Sequence, residues 1–278
     1  MRSCVVIPTY NEKENIAELI ERVLKNDVDI LIVDDSSPDG TGEIVKSIIK
    51  DNNDDRVKLL TRKDKLGLGK AYVNGFKVCI ESKYDIICQM DADLSHDPEA
   101  LLDLIEPVKE GGVDLVIGSR YVPGGSIPKW TLLRRLLSRG GNIYTRLMLN
   151  MKVKDATGGF RVYNANFLKK MLDVGIDSDG YGFQIEMTYC ASKLGAVILE
   201  KPISFSDRQK GNSKMGGSIV IEALSKVTLW SMRDHIWIPF LRLIGHKSNK
   251  AVDKNSTTVN NKNTASRFRN DSDEESIR

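Results

Sequence analysis

Asp91 and Asp93 are the two residues in this chain whose chemistry is plainest. They stand one residue apart in Gln89-Met-Asp91-Ala-Asp93-Leu-Ser95-His96. Alternation along an extended chain would point both carboxylates to one side, where a shared hard cation would hold them together. The apolar run Tyr84-Asp-Ile-Ile-Cys88 before them reads as a buried strand. Asp97-Pro98-Glu99 after them is a helix start with proline just inside the first turn. The two carboxylates therefore sit where a strand ends and the chain turns, the edge of an open α/β sheet at which ligands bind. From spacing alone, a solvated turn with two surface aspartates is the alternative. Further acids decorate other strand ends: Glu12 after the first, Asp34 and Asp35 after the second. Such a rim suits hydrogen bonds to a base and a ribose, with a cation for a diphosphate.

These acids need a sheet to place them, and the pattern supplies one. Cys4-Val-Val-Ile7 reads as a strand, and Pro8-Thr9-Tyr10-Asn11-Glu12 as the loop leaving it. Ile16, Leu19, Ile20 and Val23 fall at helical spacing within 15–24. Strands at 29–33, 57–60 and 114–117 alternate with helices beginning at Thr41, Gly67 and Pro98. Five alternations with short connections predict an α/β fold, a mostly parallel sheet with helices on both faces. A dinucleotide-binding variant is excluded by the first loop, which has no Gly-x-Gly-x-x-Gly; Gly67-Leu-Gly69-Lys70 is too short for a phosphate-cradling loop.

With 278 residues, 41% hydrophobic and 28% charged, the chain can bury one sizeable core. A net charge of +3 gives no bulk case for nucleic acid. Cys4, Cys79, Cys88 and Cys190 lie in apolar runs without paired spacing, as buried thiols of a reducing compartment do. The first strand begins within a few residues of Met1, so no signal peptide is expected, and no apolar run approaches the roughly 20 residues that span a bilayer. A cytosolic protein is the expectation.

The second half is organised by charge. From Arg120 through Lys154 the chain has no acid, yet carries Lys129, Arg134, Arg135, Arg139, Arg146, Lys152 and Lys154 among Trp130 and many leucines. A basic amphipathic segment of this kind suits an anionic membrane surface; a helix packed on the core with a solvated basic face is the alternative. Arg134 and Ser138 are one helical turn apart, close enough to reach one phosphate. Glu186, just after a glycine-rich turn, faces the site or caps a helix. The basic, glycine-rich stretch from Arg208 to Gly217 is either a connector or a lid over phosphates. The 218–245 segment reads as a docking helix followed by an interfacial Trp237-Ile-Pro-Phe240, and residues 246–278 as a disordered polar tail. The expected domains are therefore 1–245, catalytic, and 246–278.

Ile7-Pro-Thr-Tyr-Asn-Glu12, Val33-Asp-Asp35, Asp91-Ala-Asp93-Leu-Ser-His96 and Gly118-Ser-Arg-Tyr121 together resemble inverting glycosyltransferases of the GT-A fold. With Arg135-x-x-Ser138-Arg139-Gly-Gly-Asn142 and Thr157-Gly-Gly-Phe-Arg161, the chain over roughly 1–235 is similar to the dolichyl-phosphate (polyprenyl-phosphate) mannosyltransferases. The resemblance implies a GT-A, Rossmann-like sheet and transfer of mannose from GDP-mannose to a polyprenyl phosphate with inversion. It implies that Pro8, Tyr10, Glu12, Val33 and Asp35 hold the guanosine, and that Asp91, Ala92 and Asp93 meet the diphosphate with Mg2+ or Mn2+ on the two aspartates. Arg120, Arg208 and Lys214 would close on the phosphates, and Arg120, Arg134, Ser138 and Arg139 on the acceptor phosphate, with Asp93 and Arg120 catalytic. Many relatives carry glutamine where Ser95 stands, and this chain lacks the paired membrane helices of some. A peripheral place on the cytosolic face of a membrane (the endoplasmic reticulum in a eukaryote), with a small membrane-anchoring subunit as a further partner, completes the expectation. Another donor such as UDP-glucose, a non-catalytic nucleotide-binding subunit and a sugar nucleotidyltransferase are the rival readings. The last usually needs a glycine-rich, lysine-bearing first loop, which 8–15 is not.

Overall fold

The computed structural model describes residues 1–52, 55–64, 66–178, 180–206 and 217–234. Chain contacts divide it into Met1–Ser231 and Met232–Arg278; the fold below belongs to the first. The expected carboxy-terminal tail, the Trp237–Phe240 patch, Arg208 and Lys214 lie outside the described residues.

Among the described residues seven strands form one sheet: β1 Ser3–Thr9, β2 Asp29–Asp34, β3 Val57–Thr61, β4 Ile86–Gln89, β5 Leu115–Ser119, β6 Arg161–Asn164 and β7 Ile198–Pro202, in the order β3-β2-β1-β4-β6-β5-β7. The helices are α1 Ile16–Leu24, α2 Thr41–Asn52, α3 Leu68–Glu81, α4 Leu101–Glu110 after a short 3-10 turn, α5 Leu132–Met148, α6 Ala165–Val174, α7 Gly180–Lys193 and α8 Gly217–Met232. The sheet is mostly parallel, as the alternation predicts; β6 alone runs antiparallel, to both β4 and β5. Alternate side chains of each strand go to opposite cores. Val5, Ile7, Ile30 and Ile32 join α1 and α4 residues such as Leu19 and Leu104 on one face. Cys4, Val6, Leu31 and Val33 join Tyr72 and Phe76 of α3 and Met187 of α7 on the other. Strands covered on both sides need to be apolar at nearly every position, and these are. All four cysteines are buried thiols within these cores.

Two features of the topology place the site. The chain moves outward from β1 to β2 and β3, then returns to the other side of β1 with β4, so a crevice opens past the carboxyl ends of β1 and β4. Because β6 is reversed, it is its amino end that reaches this same edge, and the loop Asp155–Phe160 arrives beside the ends of β4 and β5. Helix approach is close here: a Cβ on Gly75 of α3 would stand 2.4 Å from Val6 Cγ1, and one on Gly69 2.4 Å from the Ser178 carbonyl.

Candidate functional site

The turns leaving β1 and β2 are tied to each other. Pro8 and Val33 are register partners, side by side at the sheet edge. Asp34 is the knot: its carboxylate accepts from Thr9 Oγ1 (2.8 Å), Ser37 Oγ (2.6 Å) and the Ser37 N–H (3.0 Å). Asp35 sends its N–H to the Thr9 carbonyl and sets Oδ1 3.0 Å from Arg62 Nε, both side chains being buried. Glu12 caps α1 with its carbonyl, while its Oε2 accepts from Asn15 Nδ2 at 2.9 Å and its N–H meets Thr41 Oγ1 at 3.0 Å. Tyr10 is half-buried on the same turn. Asn11 and Ser36 have φ of 59° and 49°, so both loops bend through the left-handed region to bring these groups to the edge. The structure thus gathers Pro8, Tyr10, Glu12, Val33 and Asp35 on two adjoining turns.

The acid pair is arranged differently from the alternation expected of a strand. β4 ends at Gln89, and Asp91 and Asp93 belong to the turn beyond it. Leu94, buried and at φ 59°, bends that turn so that the Ser95 N–H reaches Asp93 Oδ1 (3.1 Å). Ala92 and Ser95 are buried beneath it. The Asp91 N–H donates to His96 Nδ1 at 3.3 Å, and Asp91 Oδ1 accepts from the buried Tyr72 hydroxyl at 2.7 Å. Burial lowers the His96 pKa from its ordinary 6.5 despite the opposing pull of Asp91 and Asp93, so the ring is neutral at pH 7 and its Nδ1 accepts. Burial, with Asp91 next, holds the Tyr72 hydroxyl well above 10, so it remains a donor. Gly159, on the loop entering β6, comes so near that a Cβ there would stand 3.0 Å from Asp91 Oδ2 and 3.3 Å from His96 Cε1.

Among the described residues no three His, Cys, Asp or Glu side chains close around a metal position. Two carboxylates of hard oxygen, without nitrogen or sulfur, fit Mg2+ or Mn2+ that completes its shell with phosphate oxygens and water.

Beyond β5 lies a cationic region. Arg120 is 8% exposed and makes a bidentate ion pair with Asp155, Nε to Oδ2 and Nη2 to Oδ1, both at 2.7 Å. The Asp155 carboxylate also accepts the Arg120 N–H and the Thr157 hydroxyl, and Glu200 accepts the Lys154 and Asp155 N–H groups from below. Burial pushes the Asp155 carboxyl up, but the Arg120 guanidinium and these hydrogen bonds outweigh it, and its pKa lies below 3.8. Arg120 stands over the rings of Tyr121, Trp130 and Phe205 at 5.4–5.6 Å, and Phe205 in turn meets His96 edge-on at 5.4 Å. One phenylalanine therefore joins the acid turn to the arginine. A cavity of about 380 Å³ opens here, lined by Arg120, Tyr121, Ile127, Pro128, Arg135 and Arg139 among others.

Arg134 lies over Trp130, 3.9 Å from the ring centroid, and Ser138 accepts from the Tyr121 hydroxyl at 2.7 Å. Trp130, which the sequence suggests as an interfacial residue, is instead buried under these two arginines. On the outer face of α5, Leu132, Leu133, Leu136 and Leu137 are 60–73% exposed. Glu186 accepts the N–H groups of Asp177 and Ser178, in the segment that leads into α7. Sequence reasoning missed Asp155 and Tyr72. Asp155 closes an acid-free run that begins with its own partner, and Tyr72 is indistinguishable in sequence from any tyrosine on an apolar helix face.

The family described as glycosyl transferase family 2 matches residues 4–172. An undecaprenyl-phosphate mannosyltransferase of Micrococcus luteus is 45% identical over 235 residues, 84% of this chain and 95% of that protein. A polyprenol monophosphomannose synthase of Mycolicibacterium smegmatis is 43% identical over 237 residues, 84% and 89%. Among solved structures, a mannosyltransferase from Pyrobaculum calidifontis in complex with GDP-Man and Mn2+ superposes with a TM-score of 0.52 at 15% identity, over 91% of this chain and 81% of that one, a GT-A fold.

Proposed function

The chain belongs to glycosyl transferase family 2, and on that premise we propose that it transfers mannose from GDP-mannose to a polyprenyl phosphate such as dolichyl phosphate, inverting the anomeric configuration. The observation that carries this reading is a shared edge: Phe205 joins the Asp91/Asp93 turn to an arginine-lined cavity. One side suits a nucleotide diphosphate, the other a lipid phosphate. The similarity to the Micrococcus and Mycolicibacterium enzymes supports the sugar and the acceptor class.

Glu12 and Asp35 would receive donors of the base and ribose, beside the neighbouring Pro8 and Val33. Asp91 and Asp93 would hold the divalent cation, which supplies charge neutralisation to the departing diphosphate. The family resemblance implies Arg208 and Lys214 at the same phosphates. The acceptor phosphate is already an anion, so no residue has to remove a proton. Its oxygen forms a bond to the anomeric carbon as the bond from that carbon to the diphosphate oxygen breaks, leaving GDP and a β-linked lipid-phosphate mannose. Arg120, locked by Asp155, with Arg134, Ser138 and Arg139, would orient the attacking oxygen, an electrostatic and positional contribution. Membranes given labelled GDP-mannose, GDP-glucose, UDP-glucose or UDP-GlcNAc, followed by lipid extraction, test the reading. Label from GDP-mannose alone in the lipid phase is expected. Label from UDP-glucose instead would move the donor, and no turnover at all would favour a non-catalytic nucleotide-binding subunit.

No described helix is long and apolar enough to cross a membrane. The α5 leucines beside Arg134, Arg135 and Arg139 supply a peripheral alternative on the cytosolic face, in which each cation contributes roughly 1 kcal/mol against an anionic surface and less as salt rises. The protein is therefore expected to sediment with anionic liposomes at low salt and to be released at high salt. Arg134→Glu with Arg135→Glu should weaken sedimentation and raise KM for polyprenyl phosphate while sparing nucleotide-sugar binding. Sedimentation equal to the parent's would put the anchor elsewhere, on the Trp237–Phe240 segment or a small membrane subunit.

A further inference from the structure

Asp91 is held more firmly than a carboxylate in a surface turn. Its Oδ1 accepts a 2.7 Å hydrogen bond from Tyr72, whose side chain is fully buried on α3. Two rings stack against it, Phe183 (centroids 5.7 Å apart, 3° between planes) and Phe76 (5.7 Å, 25°), so the hydroxyl has little freedom to turn away. The Asp91 N–H is occupied by His96, whose own ring stacks on Phe160 at 5.2 Å. On the opposite oxygen, Oδ2, the approaching chain is a glycine, Gly159, where any Cβ would come within 3.0 Å.

We infer that Tyr72 is a positioning residue for the divalent cation: it fixes Asp91 through Oδ1 and leaves Oδ2, beside the bare backbone of Gly159, as the ligand oxygen. The inference rests on the reading of Asp91 as a metal ligand. Its physical basis is that a ligating carboxylate free to rotate must be ordered on binding, whereas one already hydrogen-bonded is not; partners of this kind are typically worth 10–100-fold in metal affinity. Nothing in the local sequence reveals this, because Tyr72 is nineteen positions from Asp91 and lies on the buried face of a different element.

Mn2+ titrated by electron paramagnetic resonance into the full-length protein, with GDP at fixed concentration, reads the effect without turnover. Tyr72→Phe is expected to raise the apparent Kd for Mn2+ by about tenfold or more. Tyr163→Phe is the control: that hydroxyl is as deeply buried and donates to Gln89 Oε1, so it reports the cost of losing a buried hydroxyl but should leave the Mn2+ Kd alone. Phe183→Leu removes the ring on which Tyr72 stacks and touches no polar atom, and should shift the Kd in the same direction as Tyr72→Phe. Parent-like Kd in both Tyr72→Phe and Phe183→Leu, with binding lost in Asp91→Asn, overturns the role of Tyr72 alone. Unchanged binding in Asp91→Asn overturns it together with the metal reading of Asp91.

Discussion

Asp93→Asn should abolish lipid mannosylation while leaving the fold intact. The amide keeps an oxygen where Asp93 Oδ1 now accepts the Ser95 N–H, so the turn bent at Leu94 retains its internal bond. What disappears is a negative charge from a two-carboxylate site, and with it part of the neutralisation available to a departing diphosphate. Removing one such electrostatic element costs on the order of 3 kcal/mol, about a hundredfold or more in kcat. The measurement is initial rate against Mg2+ and Mn2+ concentration, with melting temperature alongside. A parent whose turnover survives a chelator would remove the assignment of both aspartates, whatever the mutant does.

What the sequence made legible, and what it did not, follows from the range of the interactions involved. The alternation of strands and helices and the turns carrying Glu12, Asp35 and Asp91 are local features, set by apolar periodicity and turn residues. The structure keeps these elements, with shifts of up to three residues at their bounds. Strand β6 was not legible. It is four residues long, follows a Thr-Gly-Gly motif that reads as loop, and pairs antiparallel with β4 and β5, strands distant from it in sequence. Yet β6 delivers Gly159 to Asp91 and carries Arg161, fully buried, whose guanidinium grips the carbonyls of Ala156, Gly158 and Gln184 and so ties the motif loop to α7. The same limit hid the state of Arg120. The family resemblance implies a phosphate role for it, but the Asp155 carboxylate that holds its guanidinium lies thirty-five positions away.

That partnership gives the second large effect. Asp155 is fully buried and Arg120 nearly so, and the two charges face each other in bidentate geometry. Asp155→Asn removes the carboxylate from this buried bidentate pair, and breaking such a pair from one side costs about 3–5 kcal/mol. Urea unfolding at pH 7 should show a loss of that size, with unchanged dependence on denaturant concentration. The pH dependence has a definite sign. The native pKa of Asp155 lies below the 3.8 of an unfolded carboxyl, so the pair's contribution is fully present above that value and fades as pH falls through the lower native one. The stability gap between parent and Asp155→Asn should therefore stay level from pH 7 to pH 5 and close below about pH 4. A gap that already closes as pH falls from about 6.5 to 5 instead would mean that a histidine, with the buried His96 and its lowered pKa the candidate nearby, carries the coupling. Activity adds an independent reading. If Asp155 acts by aiming Arg120 at the acceptor phosphate, Asp155→Asn should raise KM for polyprenyl phosphate at temperatures where the mutant is fully folded, and leave KM for the nucleotide sugar near the parent's value. Equal rises in both would make the pair a structural brace of the whole edge, and Arg120 would lose its assignment to the acceptor.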